Sequence, residues 1–258
     1  MRLGAVTYNV LKDWDLETII VKLEEVGGFE AVELRTGHKH GVEPSIGPAE
    51  RERVRRRFEK SKIRLLSFGT TCEFHAPQAD IREKNLKEAM EFVDLAHDTG
   101  ALGVKVRPNR LVEGEPEDAT IRRIADSLRA LGDYAAGKGI EIWLEVHGRG
   151  TSHPRVCARI MEQTRHPQVG LCWNSNFTAE EVVNGSVRQS FELLRPWIKS
   201  VHINELANDY PWRELFSLLR QAGYDRYTLM EAQESREPER FLRWYKALWR
   251  ELVRPCSG

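Results

Sequence analysis

The chain has 258 residues, 41% of them hydrophobic, and its 39 basic and 39 acidic side chains cancel. That length suits one domain with a substantial core, and the balanced charge gives no sign of a surface for nucleic acid or for a membrane. No apolar run approaches the roughly 20 residues that a membrane span needs.

Cys72, Cys157, Cys172 and Cys256 form no CxxC pair, and the chain opens without a secretory-leader pattern. Both features predict a reducing compartment, the cytoplasm. The segment holding Arg51, Arg53, Arg55, Arg56 and Arg57 is interrupted by Glu50, Glu52 and Glu59, which reads as a solvated helix face.

Eight apolar runs of strand length recur, in order RLGAVTY (2–8), FEAVELR (29–35), IRLLSFG (63–69), ALGVKVR (101–107), IEIWLEV (140–146), VGLCW (169–173), IKSVHI (198–203) and YTLMEA (227–232). Each is followed by a turn and a longer amphipathic stretch, the pattern of repeated β-loop-α units. Several runs are apolar throughout, as expected for parallel strands covered on both faces. The expected fold class is therefore α/β, a (β/α)8 TIM barrel forming a single domain over 1–258. An open doubly wound sheet is the competitor, but VTYNVLKDWD carries no GxGxxG and the chain has no GxxxxGK[ST].

The intervening helices carry ordinary signals. Asp13 or Asp15 can cap the first, which Gly27 and Gly28 end; Gly100 and Gly139 end two others. In the last, PERFLRWYKALWRELV, we expect a stripe of Phe241, Trp244, Leu248 and Leu252 to pack against the barrel. The polar stretch PNRLVEGEPEDAT (108–120) falls on the rim, as a lid or an inert loop.

In such a barrel the loops after the strands build the active face. Glu145, Asn174, His202 and Glu231 close four successive runs, so their oxygen and nitrogen donors converge at one end. Two carboxylates and an imidazole suit Mn²⁺, Mg²⁺ or Co²⁺, and the lack of clustered thiolates argues against a structural zinc centre. A paired structural glutamate is the alternative at Glu145 and at Glu231. Other polar residues at strand ends are candidates for substrate binding: Glu33, Arg35, His75, Lys105, Arg107 and Asn176. Lys105 and Arg107 stand at i,i+2 and can pair with Glu33 or Glu73, or receive a substrate carboxylate or phosphate. His147, two residues past Glu145, is a candidate donor to a substrate hydroxyl or oxyanion. Trp14, Trp143, Trp173 and Trp212 are candidates for apolar walls, with core packing the stronger reading for Trp143 and Trp173.

Taken together, FEAVELRTGHKHGVE, GIEIWLEVHG, VGLCWNSN, SVHIN and YTLMEAQES resemble segments of the xylose-isomerase-like TIM barrel superfamily, in its sugar epimerase, ketose isomerase and inosose dehydratase-like branch. The resemblance implies one divalent metal ion, Mn²⁺ ahead of Mg²⁺, Co²⁺ or Zn²⁺, held by Glu145, Asn174, His202 and Glu231. It also implies acid/base roles for Glu145 and Glu231. The family's usual aspartate after strand six is Asn174 here, an amide oxygen without charge, and the histidine often found three residues later is Phe177. DNA-repair endonucleases of the same superfamily need further histidine ligands that this chain lacks, so no nucleic-acid partner is expected.

The expected reaction is isomerisation or epimerisation of a sugar, keto-sugar or cyclitol through proton abstraction beside a carbonyl and an enediolate. Dehydration of an inosose-like substrate is the nearest alternative, and a non-catalytic sugar-binding or partner-binding barrel is another. The expected partner is a small polyhydroxylated molecule, with homo-oligomerisation left open.

Overall fold

The computed structural model describes residues 1–255. Its strands are β1 (Arg2–Val6), β2 (Ala31–Arg35), β3 (Arg64–Glu73), β4 (Gly103–Arg107), β5 (Glu141–Glu145), β6 (Val169–Asn174), β7 (Ile198–Ile203) and β8 (Tyr227–Met230). They pair in parallel in chain order, and β8 returns to β1 to close the barrel. Around it run α1 (Leu16–Val26), α2 (Pro48–Glu59), α3 (Ala79–Thr99), α4 (Glu117–Ala136), α5 (Pro154–Thr164), α6 (Arg188–Leu194), α7 (Trp212–Gln221) and α8 (Pro238–Leu252). This is the (β/α)8 architecture the eight apolar runs predict.

Alternate residues of each strand face the barrel interior. Val6, Ala31, Leu66, Trp143, Cys172, Tyr227 and Leu229 form a compact cluster there. Gly103 makes room for the indole, since a Cβ at that position would lie 2.7 Å from the Trp143 ring. The indole N–H of Trp143 donates to Glu141 at 2.8 Å, and Glu141 pairs with Arg226 at 2.6 Å. The lower barrel is thereby filled and sealed. Two residues further along the strands come Lys105 after Gly103, Glu145 after Trp143, Asn174 after Cys172, His202 after Ser200 and Glu231 after Leu229. The strand period thus stacks a polar layer directly on the packed one.

Helix ends follow local chemistry. Asp15 is the residue that caps α1, accepting from the Thr18 N–H at 2.8 Å, and Gly27 and Gly100 adopt positive φ at the ends of α1 and α3. The helix expected to run to Gly139 ends at Ala136. The loop before α4 is pinned to the loop after β5 by a bridge between Arg110 and Arg149. Gly148 permits that approach, because a Cβ there would overlap the Asn109 carbonyl.

The stripe expected on α8 holds at Phe241 and Leu252, which pack partly buried against the core, and is corrected at Trp244, 68% exposed, and Leu248, 36%; Leu242, Tyr245 and Trp249 are the buried face. The Tyr245 hydroxyl donates to the Ile203 and Asn204 carbonyls, and the Trp249 indole N–H donates to Thr228 Oγ1. Polar tips with partners in the barrel fix which face turns inward.

Cys72, Cys157 and Cys172 are buried and unbridged; Cys256 lies outside the described residues. Among the described residues no helix is long and apolar enough to cross a membrane.

Candidate active site

A cavity of about 330 Å³ opens at the C-terminal end of the strands. Its walls include Tyr8 and Asn9 after β1, Arg35 of β2, Lys105 and Arg107 of β4, Glu145 of β5, Asn174 of β6 and Glu231 after β8. Of the four predicted ligands, Glu145, Asn174 and Glu231 line the cavity, and His202 lies fully buried behind them.

His202 is the centre of the arrangement and is fully buried. Its Nδ1 lies 3.2 Å from Glu231 Oε2 and 3.9 Å from Glu145 Oε1. Single donor atoms of Glu145, His202 and Glu231 all fall within 4.8 Å of one another. Donors bound at about 2.1 Å to a common ion stand roughly 3–4 Å apart, so these spacings suit a small divalent cation. On the other side of the ring, Nε2 faces Glu33 Oε1 at 3.3 Å, outside hydrogen-bond alignment, and both atoms are buried without another partner. Glu33 is itself held by the Ser67 hydroxyl at 2.7 Å. A carboxylate behind a histidine is the usual support of a metal-binding imidazole, because it fixes the ring and its tautomer.

Glu145 is differently placed. Lys105 Nζ contacts its Oε2 at 2.6 Å, and Asn174 Nδ2 donates to its Oε1 at 3.0 Å. Burial alone would raise the Glu145 carboxyl, but Lys105, His202 and His147 hold it down at about 2. Burial likewise works against the Lys105 ammonium, and Glu145, Glu33 and Glu231 outweigh it, so the lysine keeps its charge. At His202 burial disfavours the charged ring, yet Cys172, Glu231 and Glu33 draw it well above the ordinary imidazole range. Without a metal, Glu33, Glu145 and Glu231 face two positive charges, Lys105 and a protonated His202; an ion that displaced the ring proton would meet two uncompensated negative charges, the charge a divalent cation balances. The residues present fit such an ion, with the Asn174 amide bringing no charge of its own.

The predicted substrate residues separate into groups. Arg35, Lys105, Arg107, His147 and Asn176 line the cavity. Glu33 does not; it is fully buried beneath His202. His75 lines a neighbouring depression of about 930 Å³ with Arg110, Leu111 and Arg149. Lys105 pairs with Glu145 rather than with Glu33 or Glu73, whereas Arg107 pairs with Glu73 at 2.7 Å. Asn176 spends its Nδ2 on the Val146 and Asn174 carbonyls at 2.7 and 3.0 Å. None of Trp14, Trp143, Trp173 and Trp212 reaches the cavity wall. Trp143 and Trp173 are packed in the core, and Trp212 is buried beside Tyr210.

Sequence reading missed Ser67, whose support of Glu33 shows only in the pairing of β2 with β3. It also missed Glu181, which accepts from the Tyr210 hydroxyl and the Asn176 N–H and so braces the loop after β6. Neither lies in a periodic polar pattern.

A family model described as a xylose isomerase-like TIM barrel matches residues 21–251, and the chain belongs to that family. No curated protein matches its sequence. Among solved structures, 3-keto-D-glucoside 4-epimerase YcjR from E. coli is similar at 17% identity and TM-score 0.79, over 97% of this chain and 99% of that one. D-psicose 3-epimerase from Clostridium cellulolyticum H10, solved with D-tagatose, aligns at 13% identity and TM-score 0.82, over 99% of this chain and 100% of that one. The IolI protein with a binding zinc atom aligns at 16% identity and TM-score 0.79, over 98% and 96%. At such identities the likeness establishes the fold.

Proposed function

We propose that the protein is a divalent-metal-dependent isomerase or epimerase acting on a sugar, keto-sugar or cyclitol by proton abstraction beside a carbonyl. The observation that carries this is the meeting of Glu145, His202 and Glu231 donors within 4.8 Å at the floor of a polar cavity. The sugar epimerases and the zinc-bound protein among its structural neighbours support it.

Glu145, Asn174, His202 and Glu231 would hold the ion, with Mn²⁺ preferred. When bound, it supplies polarisation of the substrate carbonyl and charge balance for the enediolate.

The protein's own groups divide the remaining work. Among the described residues Glu231 pairs with no lysine or arginine, and it reaches the cavity wall, so it is placed to take the proton. Return of that proton by Glu231 to the neighbouring carbon gives isomerisation; for epimerisation Glu231 keeps it, and Glu145, three strands away, passes a proton taken from the Lys105 ammonium to the opposite face, both groups resetting by exchange with solvent. Lys105 keeps Glu145 anionic, and His147 orients a substrate hydroxyl. The unbridged buried cysteines fit cytoplasmic residence.

The test is solvent-hydrogen exchange in D2O with Mn²⁺ and a panel of ketohexoses, keto-glucosides and inososes, followed by NMR. Deuterium should enter beside the carbonyl of at least one compound, and Glu231→Gln should slow its entry by about 10²–10⁴-fold. Release of water instead would redirect the reading to a dehydratase, and exchange equal in the variant would refute the role of Glu231.

A further inference from the structure

We propose that the substrate carries a compact anionic group, a carboxylate or phosphate, received by Arg35 and Arg107 on the wall formed by β2 and β4. This rests on the sugar-type reading above and narrows it to sugar acids or sugar phosphates.

Arg35 closes β2 and lines the cavity, and no carboxylate pairs with it among the described residues. Its Nη1 donates to the Thr36 carbonyl at 2.8 Å, and its guanidinium lies 5.6 Å from the Tyr8 ring. Among the described residues its other guanidinium nitrogens meet no side-chain or backbone acceptor. Arg107 closes β4, one strand removed from β2 across β3, and lines the same cavity. One of its nitrogens holds Glu73, but its Nε is buried with no partner. His147 Nδ1, also on a cavity-lining residue, is buried and unpartnered.

Charge is distributed to match. The two lining carboxylates, Glu145 and Glu231, contact Lys105 and His202, and among the described residues neither pairs with Arg35 or Arg107. Arg35 and the free edge of Arg107 therefore leave excess positive charge on one wall, which a cation at the carboxylates would reinforce. A neutral hydroxyl can accept one guanidinium hydrogen bond, but a carboxylate or phosphate accepts two with charge assistance. Leaving such donors half-desolvated beside a neutral ligand is unfavourable. A molecule whose hydroxyl-carbonyl end meets Glu145 and Glu231 would thus place its oxyanion at Arg35 and Arg107.

The test is equilibrium binding by calorimetry with D-gluconate, D-glucitol 6-phosphate and uncharged D-glucitol as probes. Each is titrated into metal-free and Mn²⁺-loaded protein, so that direct binding of an anion to the metal is separated from binding to the wall. At least one anion should bind about tenfold tighter than D-glucitol in both forms, and which anion it is distinguishes carboxylate from phosphate. Arg35→Gln should remove most of that preference, weakening the anion far more than D-glucitol, while Arg35→Lys, which keeps the charge, should retain part of it. Arg107→Gln should act in the same direction.

Equal affinity for all three probes, no anion binding at millimolar concentration, or an unchanged preference in Arg35→Gln would overturn the proposal. Binding is read without turnover, so absent solvent exchange would count against the isomerase reading alone.

Discussion

Lys105 Nζ sits 2.6 Å from Glu145 Oε2, both side chains are buried, and the pair spans β4 and β5 one layer above Gly103 and Trp143. Both groups are almost wholly desolvated in the cavity wall, so removing one partner exposes the desolvation cost of the other. Lys105→Met should destabilise the metal-free protein by about 3–5 kcal/mol in urea unfolding. Added Mn²⁺ should narrow the difference by giving Glu145 a second cation. A loss below about 1 kcal/mol would mean that Glu145 finds compensation elsewhere.

Glu33 tests the support behind His202. It lies outside the cavity, bonded to Ser67 and 3.3 Å from His202 Nε2. Glu33→Gln should keep the fold by circular dichroism and weaken Mn²⁺ binding about 10–100-fold in equilibrium dialysis. Unchanged affinity would reduce Glu33 to a filler of the barrel interior.

Stability should also respond to pH through Glu181. Burial pushes this carboxyl up to about 7, further than the bonds from Tyr210 and Asn176 pull it down. With an unfolded value near 4.5, the folded chain holds more protons between the two values. The stabilisation is therefore complete below about pH 4.5 and is lost as pH rises through 7, with a total of about 3 kcal/mol. Urea unfolding across that window should show the slope, and Glu181→Gln should flatten it.

On α8 the two faces should differ sharply. Tyr245→Phe removes the donor to the Ile203 and Asn204 carbonyls and should cost about 1–2 kcal/mol in thermal unfolding. Trp244→Ala, at a 68% exposed position, should stay within about 0.5 kcal/mol.

That contrast shows where sequence reading stopped. The strands were legible because parallel strands covered on both faces are continuous apolar runs, and the site because Glu145, Asn174, His202 and Glu231 interrupt or end those runs. In α8 both Phe241-Trp244-Leu248-Leu252 and Leu242-Tyr245-Trp249 have helical spacing; Phe241 and Leu252 flank the inner face, and the hydrogen bonds of Tyr245 and Trp249 centre it on the second set. The pairing of Lys105 with Glu145, rather than with Glu33 or Glu73, depends on the register of β4 against β5. The brace of Glu181 on Tyr210 joins a loop to a residue 29 positions away, with no periodic trace in either segment.

The central claim is that Glu145, Asn174, His202 and Glu231 form one metal site. Its most direct test is elemental analysis of the protein after reconstitution with Mn²⁺ and removal of free ion, beside Glu231→Ala treated identically. The account predicts about one tightly held ion per chain, lost in the variant. No ion in either protein, or equal retention in both, would contradict it.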